Sequence, residues 1–336
     1  MLSTTTPLSL GWAGNLSLAT LFALASTVIS ADSSDKRGLV FIPHDDYPED
    51  NQLWIGPGST MTWYYNYAMK PADPFSSVSQ ESFEFVPMFW GPPGDDVEDT
   101  VFYDTVADLI NNEGRNITHV LGFNEPDAPS DWGGSNMEAK DAAEYWVKNM
   151  EPLKEDFPWV KIGLPGCTAV EGWVDWLADF LGECAELEYE GRDRNCSFDF
   201  LPLHWYDNFE GLANYVGTAR EFFPDTPLWI TEYAYAHQDL KPTQYFYNQS
   251  QEYFDRLDFV ERYSYFGSFR SEDSNVGKNA AFLNNDGNLT DIGSWYMGGA
   301  ATGIDPQSGA VGRTSMDGGR WTLLGCLGVA LMVVGL

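Results

Sequence analysis

Eight short apolar runs, most of them separated by stretches of helical periodicity, constrain this chain more than any other feature. The runs cover residues 38–41, 60–65, 83–89, 119–123, 161–164, 198–204, 228–231 and 260–266. Several are continuously apolar rather than alternating, as expected of strands buried on both faces of a sheet. Helical patterns lie at 100–112, 137–153, 173–187, 211–222 and 243–258, with N-caps expected around Asp99 and Ser135. This order predicts an α/β chain folded as a single (β/α)8 TIM barrel over residues 38–300. The first two connections are short, so the first units are expected to be irregular. Residues 281–289 read as a hairpin around Asp286-Gly287, and 291–298 as a closing helix.

Charge narrows the partners. Acids outnumber bases 50 to 18, for a formal net charge of −32. Phosphate backbones and anionic lipid headgroups both demand clustered Lys and Arg, so nucleic acid and direct membrane adhesion are excluded. An uncharged polysaccharide fits. Aromatic residues make up 15% of the chain, and those at strand ends offer flat apolar faces with polar tips, which suit sugar rings.

The two ends read as targeting segments. Residues 1–31 form an expected signal peptide with an apolar run at 16–29, without basic residues ahead of it, and with cleavage after Ala25 or Ala31. Lys36-Arg37 offers a later processing site. A short apolar tail at 321–336 follows small residues at 308–310 and a polar spacer. That order is the pattern of a GPI-attachment signal over 309–336, with Ser308 as anchor site and 301–308 as a short linker; a single-span anchor is the alternative. The working part is then extracellular, at the cell wall or the outer plasma-membrane surface, and touches the membrane only through the lipid. A monomer is expected. Cys326 leaves with the tail, so Cys167, Cys184 and Cys196 remain and allow at most one bridge. Cys184 and Cys196 flank a polar loop between a helix end and a strand start and are the expected pair. Among the sequons, Asn116, Asn248 and Asn288 are expected to carry glycans, Asn15 is lost with the leader, and Asn195 abuts the bridge.

Two of the strand-like runs end in glutamate. His119-Val120-Leu121-Gly122-Phe123-Asn124-Glu125 is the fourth and Leu228-Trp229-Ile230-Thr231-Glu232 the seventh. Carboxylates where buried strands emerge are what glycoside hydrolysis needs, one as proton donor and one as nucleophile or base. Surface loops of so acidic a chain would also supply glutamates, but not at matching strand ends. Glu125 can act as acid and then base, the Asn124 amide can bond a sugar 2-hydroxyl, and Glu232 can attack the anomeric carbon. Tyr206 is placed to bond Glu232, with His204 or Trp205 lining a subsite; Asn66 and Trp90, ending the second and third strands, are candidate sugar contacts. His44-Asp45-Asp46 has ligand-type side chains but no spaced partners, so neither a metal nor any other cofactor is expected. Phosphate-loop, serine-elbow and nucleotide motifs are absent.

The runs Gly122-Phe123-Asn124-Glu125-Pro126-Asp127, Leu203-His204-Trp205-Tyr206 and Trp229-Ile230-Thr231-Glu232-Tyr233 resemble glycoside hydrolase family 128, the fungal glycosyl hydrolase catalytic core group of alkali-sensitive linkage type. Pro87-Met88-Phe89-Trp90-Gly91 fits the same pattern. The resemblance implies a retaining endo-β-1,3-glucanase with Glu125 as acid/base and Glu232 as nucleophile, and it supports the Cys184–Cys196 pair. It also implies a lowered Glu232 pKa, a raised Glu125 pKa, and carboxyls about 5–5.5 Å apart rather than the roughly 6.5–9.5 Å of inverting enzymes. Two positions depart from the family pattern, Tyr67 and Tyr265, where tryptophan is usual at what would be sugar subsites. A glucan transglycosylase and a wall glucan-binding protein without turnover are the rival readings.

Overall fold

Parallel pairing between successive strands organises the computed structural model, which describes residues 34–309 apart from 190, 191, 194 and 195. The expected leader, the apolar tail, Asn15 and Asn195 lie outside the described residues. Strands β1 (Gly38–Val40), β2 (Trp63–Tyr65) and β3 (Glu84–Phe85) form one parallel set. β4 (His119–Val120) pairs with β5 (Lys161–Ile162), and β6 (Leu201–Trp205), β7 (Leu228–Tyr233) and β8 (Val260–Tyr265) form the third set. Single parallel bridges join the sets: Met88 to Leu121, Gly163 to Phe200, and Arg37 to Tyr263. The last of these returns β8 to the start of β1, so the eight strands close into a ring, the arrangement expected of a (β/α)8 barrel.

Helices cover the later strands and not the earlier ones. Only short 3-10 turns (Asp50–Ile55 and Asp73–Phe75) follow β1 and β2. Helices α1 (Val101–Asn111), α2 (Ala139–Asp156), α3 (Trp173–Glu186), α4 (Phe209–Phe222) and α5 (Leu240–Arg256) follow β3 to β7 in turn. Each buries one stripe; in α2, Ala142, Trp146, Met150 and Leu153 recur at helical spacing and are fully buried. The Asp286-Gly287 turn and α6 (Asp291–Tyr296) come last, with Gly287 at a φ of +78° that favours glycine. Thr100 stands at the start of α1 without a side-chain cap, and Asp99 before it accepts the Val101 N–H at 2.7 Å. Ser135 does not cap α2. That helix starts after Glu138, while the Ser135 N–H is drawn to the Asn124 carbonyl (2.9 Å) in the loop leaving β4.

An ionic cluster fills the N-terminal end of the ring. Glu84 on β3 receives His119 Nδ1 at 2.8 Å, Thr118 Oγ1 at 2.7 Å and Arg262 Nη2 at 2.7 Å. The Arg262 guanidinium lies 4.4 Å from the Trp229 ring and 5.5 Å from that of Trp63. Burial pushes the Glu84 carboxyl up, but the His119 hydrogen bond and the Arg262 charge outweigh it and hold the group at about 2. Burial lowers the His119 pKa, and Arg262 adds to this against the pull of Glu84.

Both ends of the described chain are tied down. Lys36 Nζ caps the C-terminus of α5 through the carbonyls of Phe254, Asp255 and Leu257 (3.1, 3.4 and 3.0 Å), and Arg37 is buried against Tyr263. Residues 302–308, within the expected linker, are held against the fold. Asp291 Oδ1 accepts the N–H groups of Thr302 (2.8 Å) and Gly303 (2.7 Å), and the Ser308 carbonyl accepts from Asn285 (3.1 Å). A carboxylate acceptor on α6 and a backbone donor on the hairpin capture this segment. Cys184 and Cys196 form the expected disulfide, linking the end of α3 to the segment entering β6, and Cys167 is buried and free. Asn116, Asn248 and Asn288 are exposed.

Candidate active site

The opposite, C-terminal end of the ring gathers the residues with chemistry. The chain leaves β4 with Asn124 bridged to Gly166 beyond β5, and the Glu125 N–H bonds the Gly166 carbonyl at 2.7 Å. Glu125 takes a φ of +42°, a left-handed conformation that costs a non-glycine residue and is tolerated where surroundings enforce it. Gly134 is part of that enforcement, because a Cβ there would lie 2.4 Å from the Glu125 carbonyl oxygen. Between β6 and β7 the register slips, Leu203 facing Ile230 but His204 facing Glu232. The bulge at Thr231 thereby sets Glu232 opposite His204.

Three buried groups meet there. His204 Nδ1 lies 2.8 Å from Glu125 Oε1 and 3.5 Å from Glu232 Oε2. One oxygen of each carboxylate and the His204 nitrogen all fall within 4.8 Å of one another. His204 Nδ1 and Glu125 Oε1 share one hydrogen, and the imidazole tautomer sets which of them donates. Burial pushes Glu125 up, His204 pulls it down, and the charges of Glu232 and Asp127 push it up again, for a net rise. His204 is lowered by burial but raised by Glu232 and Glu125, again with a net rise. The cluster therefore holds a proton more tightly than its members would alone. Donors of this type also suit a transition-metal ion, though the hydrogen bonds among them already form an acid–base pair steadied by a histidine. His44 Nε2 is turned elsewhere, to Asp273 at 2.9 Å.

Tyrosines hold the second carboxylate. Tyr206 donates to Glu232 Oε2 at 2.5 Å, Tyr67 to Oε1 at 2.6 Å, and Tyr65 lies 3.4 Å from Oε1. Burial and then the Glu232 charge push the Tyr206 hydroxyl well above its ordinary range, so it remains a donor. Asn124 Nδ2 bonds the Gly133 carbonyl at 3.1 Å, while its Oδ1 is buried without a partner. Asp127 accepts from both the N–H and hydroxyl of Thr168 (3.0 and 2.6 Å).

The structure thus brings together Asn124, Glu125, His204, Tyr206 and Glu232. Asn66 stands apart, its amide held by the Lys70 carbonyl at 3.2 Å. Tyr67 takes a φ of +58°, which turns residue 67 rather than 66 onto Glu232. Two tyrosines spaced by two residues at a strand end were the available signal for Tyr65 and Tyr67. Trp90 is half-buried and meets this region through its carbonyl, which accepts the Asn124 N–H at 2.9 Å. Trp205 faces away from the pair, stacked on Tyr215 at 5.5 Å. Tyr265 is fully buried, with its ring stacked on Phe282 at 5.4 Å.

Comparison with known proteins agrees with this geometry. A family model described as "Glycosyl hydrolase catalytic core" matches residues 38–296. The chain is 27% identical over 271 residues to alkali-sensitive linkage protein 1 of Schizosaccharomyces pombe, covering 79% of this chain but 44% of that relative. Among solved structures it is similar to a curdlan-specific exo-β-1,3-glucanase of family GH128 (subgroup III) from Blastomyces gilchristii, in complex with glucose. The identity is 26% and the TM-score 0.59, with 78% and 97% of the two chains covered. A GH128 oligosaccharide-binding protein (subgroup VII) from Trichoderma gamsii shares the fold at 19% identity and a TM-score of 0.56, covering 79% of this chain and 93% of that one. With that match spanning most of its length, the chain belongs to the glycosyl hydrolase catalytic core family, glycoside hydrolase family 128.

Proposed function

We propose that this chain hydrolyses β-1,3-glucan with retention of configuration. The observation that carries the reading is the approach of Glu125 and Glu232 to within 4.8 Å, which supports a double displacement over an inversion that needs room for water between the carboxyls. Glu125, kept protonated by burial, gives its proton to the glycosidic oxygen as the C–O bond breaks. Glu232, held by Tyr67 and Tyr206, attacks the anomeric carbon from the opposite face and forms a glycosyl ester. Glu125, now ionised, takes a proton from water, whose oxygen displaces Glu232 and restores both groups. Asn124 precedes Glu125, and its amide is the partner we assign to the sugar 2-hydroxyl. The excess of acids suits an uncharged polymer. The apolar runs at 16–29 and 321–336 support export and lipid anchorage at Ser308, with the enzyme at the cell wall or outer membrane surface.

The test is NMR analysis of fresh products from laminari-oligosaccharides, with Glu232→Gln alongside. β-Anomers that disappear in the variant are expected. Initial α-anomers would mean inversion, and products longer than the substrate would mean transfer to a sugar acceptor. Glucan binding without any cleavage by the wild type would replace hydrolysis with a binding role.

A further inference from the structure

We propose that the groove between α3 and α4 is a second binding site for the neutral β-glucan, beside the catalytic pair and separate from it. The proposal rests on the glucan reading above for the identity of the ligand. The groove has a volume of about 300 Å³, the lower end of the range for ligand sites and enough for about one or two sugar rings. Its aromatic lining comes from Trp173, Trp205 and Tyr215, with Asn214, Glu171 and Asp175 as polar groups and no Lys or Arg.

Strand alternation explains the aromatic wall. His204 and Tyr206 face the carboxylates, so Trp205 between them points outward toward α4. Its ring needs the bare backbone of Gly211, where a Cβ would come within 2.3 Å of it. Trp205 Nε1 donates to the Asn208 carbonyl at 2.9 Å, which fixes the indole. Trp173 meets the Tyr215 ring edge-on at 5.0 Å. Val170, on the groove's rim, is 44% exposed although apolar. The Tyr215 hydroxyl is buried on the side toward Cys167 and Asp127 and has no hydrogen-bond partner among the described residues.

This lining selects a sugar polymer over other ligands. Carboxylates and an amide accept and donate to hydroxyls, while acidic rims repel phosphates and uronic acids. Aromatic walls take the apolar face of a pyranose. Two of the groove's residues neighbour the catalytic rim along the chain. Trp205 shares its strand end with His204 and Tyr206, and the groove residue Ala169 follows Thr168, which holds Asp127 two positions from Glu125. A chain lying across the rim would engage both.

The test fills the groove at an exposed helix position with Asn214→Trp, in the full chain. Affinity for laminarin is measured by calorimetry in the Glu232→Gln background, and laminaritetraose hydrolysis in the active background. The expected result is about a tenfold loss of laminarin affinity with tetraose turnover within about twofold of wild type. Unchanged laminarin affinity overturns the proposal. So does a parallel fall in tetraose turnover, which would make the groove part of the cleavage site. Val170→Asp, at the exposed rim, gives the same readouts should the tryptophan variant fold poorly. If the parent binds and cleaves no β-1,3-glucan, the glucan reading falls instead, and a groove occupied only by a protein segment would leave both sugar readouts flat.

Discussion

The two ends of the strand ring each hold a glutamate bonded to histidine at 2.8 Å, half-buried at the N-terminal end and buried at the C-terminal end, and they behave oppositely. At the N-terminal end Arg262 joins the pair, and Glu84 is held ionised at about 2. At the C-terminal end the third member is another carboxylate, and Glu125 and His204 are both raised. A permanent cation turns a Glu–His pair into a fixed strut. A second anion in its place leaves a proton that can be given away and taken back. The same two side chains become architecture or chemistry according to their third neighbour.

Mutations can break this contrast. The largest effect is expected at the catalytic end, where Glu125→Gln should lower kcat by about 10²–10⁴-fold without loss of thermal stability. Steady-state kinetics beside a melting curve check this, and a large drop in melting temperature would assign Glu125 a structural role. Next, Glu84→Gln removes the charge opposite Arg262, which lies by two tryptophans, and should cost roughly 1–3 kcal/mol of stability, with kcat little changed. The sign of its pH dependence follows from the lowered carboxyl. The Glu84 contribution is complete above the ordinary value of 4.5 and is lost as pH falls toward about 2. Urea titrations across that window should show the gap between wild type and variant closing.

A smaller effect isolates one bond. Tyr67→Phe removes the 2.6 Å donor from Glu232 and should reduce kcat about tenfold, the value of one charge-assisted hydrogen bond. KM should move less, since the bond acts on the nucleophile. The smallest effect is in the pH profile. Glu125 must be protonated to act as acid, and its form is lost as pH rises. The alkaline limb of kcat/KM should therefore lie above the ordinary carboxyl value of 4.5, and a limb at or below it would remove the raised pKa from the mechanism.

Sequence reading reached the two ends unequally, for a physical reason. Glu125 and Glu232 each close an apolar run, so burial and emergence are written locally, and β7 is indeed buried along all six residues. Glu84, His119 and Arg262 are single charges inside strands, 35 and 178 positions apart, and only ring closure makes them neighbours. Tyr67 is legible as a departure from the family pattern, but not as a partner of Glu232, because a left-handed φ, unexpected in tyrosine, decides which of Asn66 and Tyr67 reaches that carboxylate. Trp205 was legible as an aromatic at a strand end, but not its direction, which depends on Gly211. The segment 302–308 has linker-like composition, and only its long-range hydrogen bonds show that it is docked.

Lys36 and Arg37 carry a consequence for maturation. A dibasic pair invites a processing protease, yet such enzymes need several residues extended in their cleft. Here the lysine is spent on three carbonyls at the end of α5, and the arginine, 7% exposed, bonds Tyr263 beside the bridge that closes the ring. Trimming after Arg37 would therefore have to occur before the first strand docks. A chain that folds first would be refractory to it, so the order of folding and proteolysis would decide which N-terminus the finished protein carries.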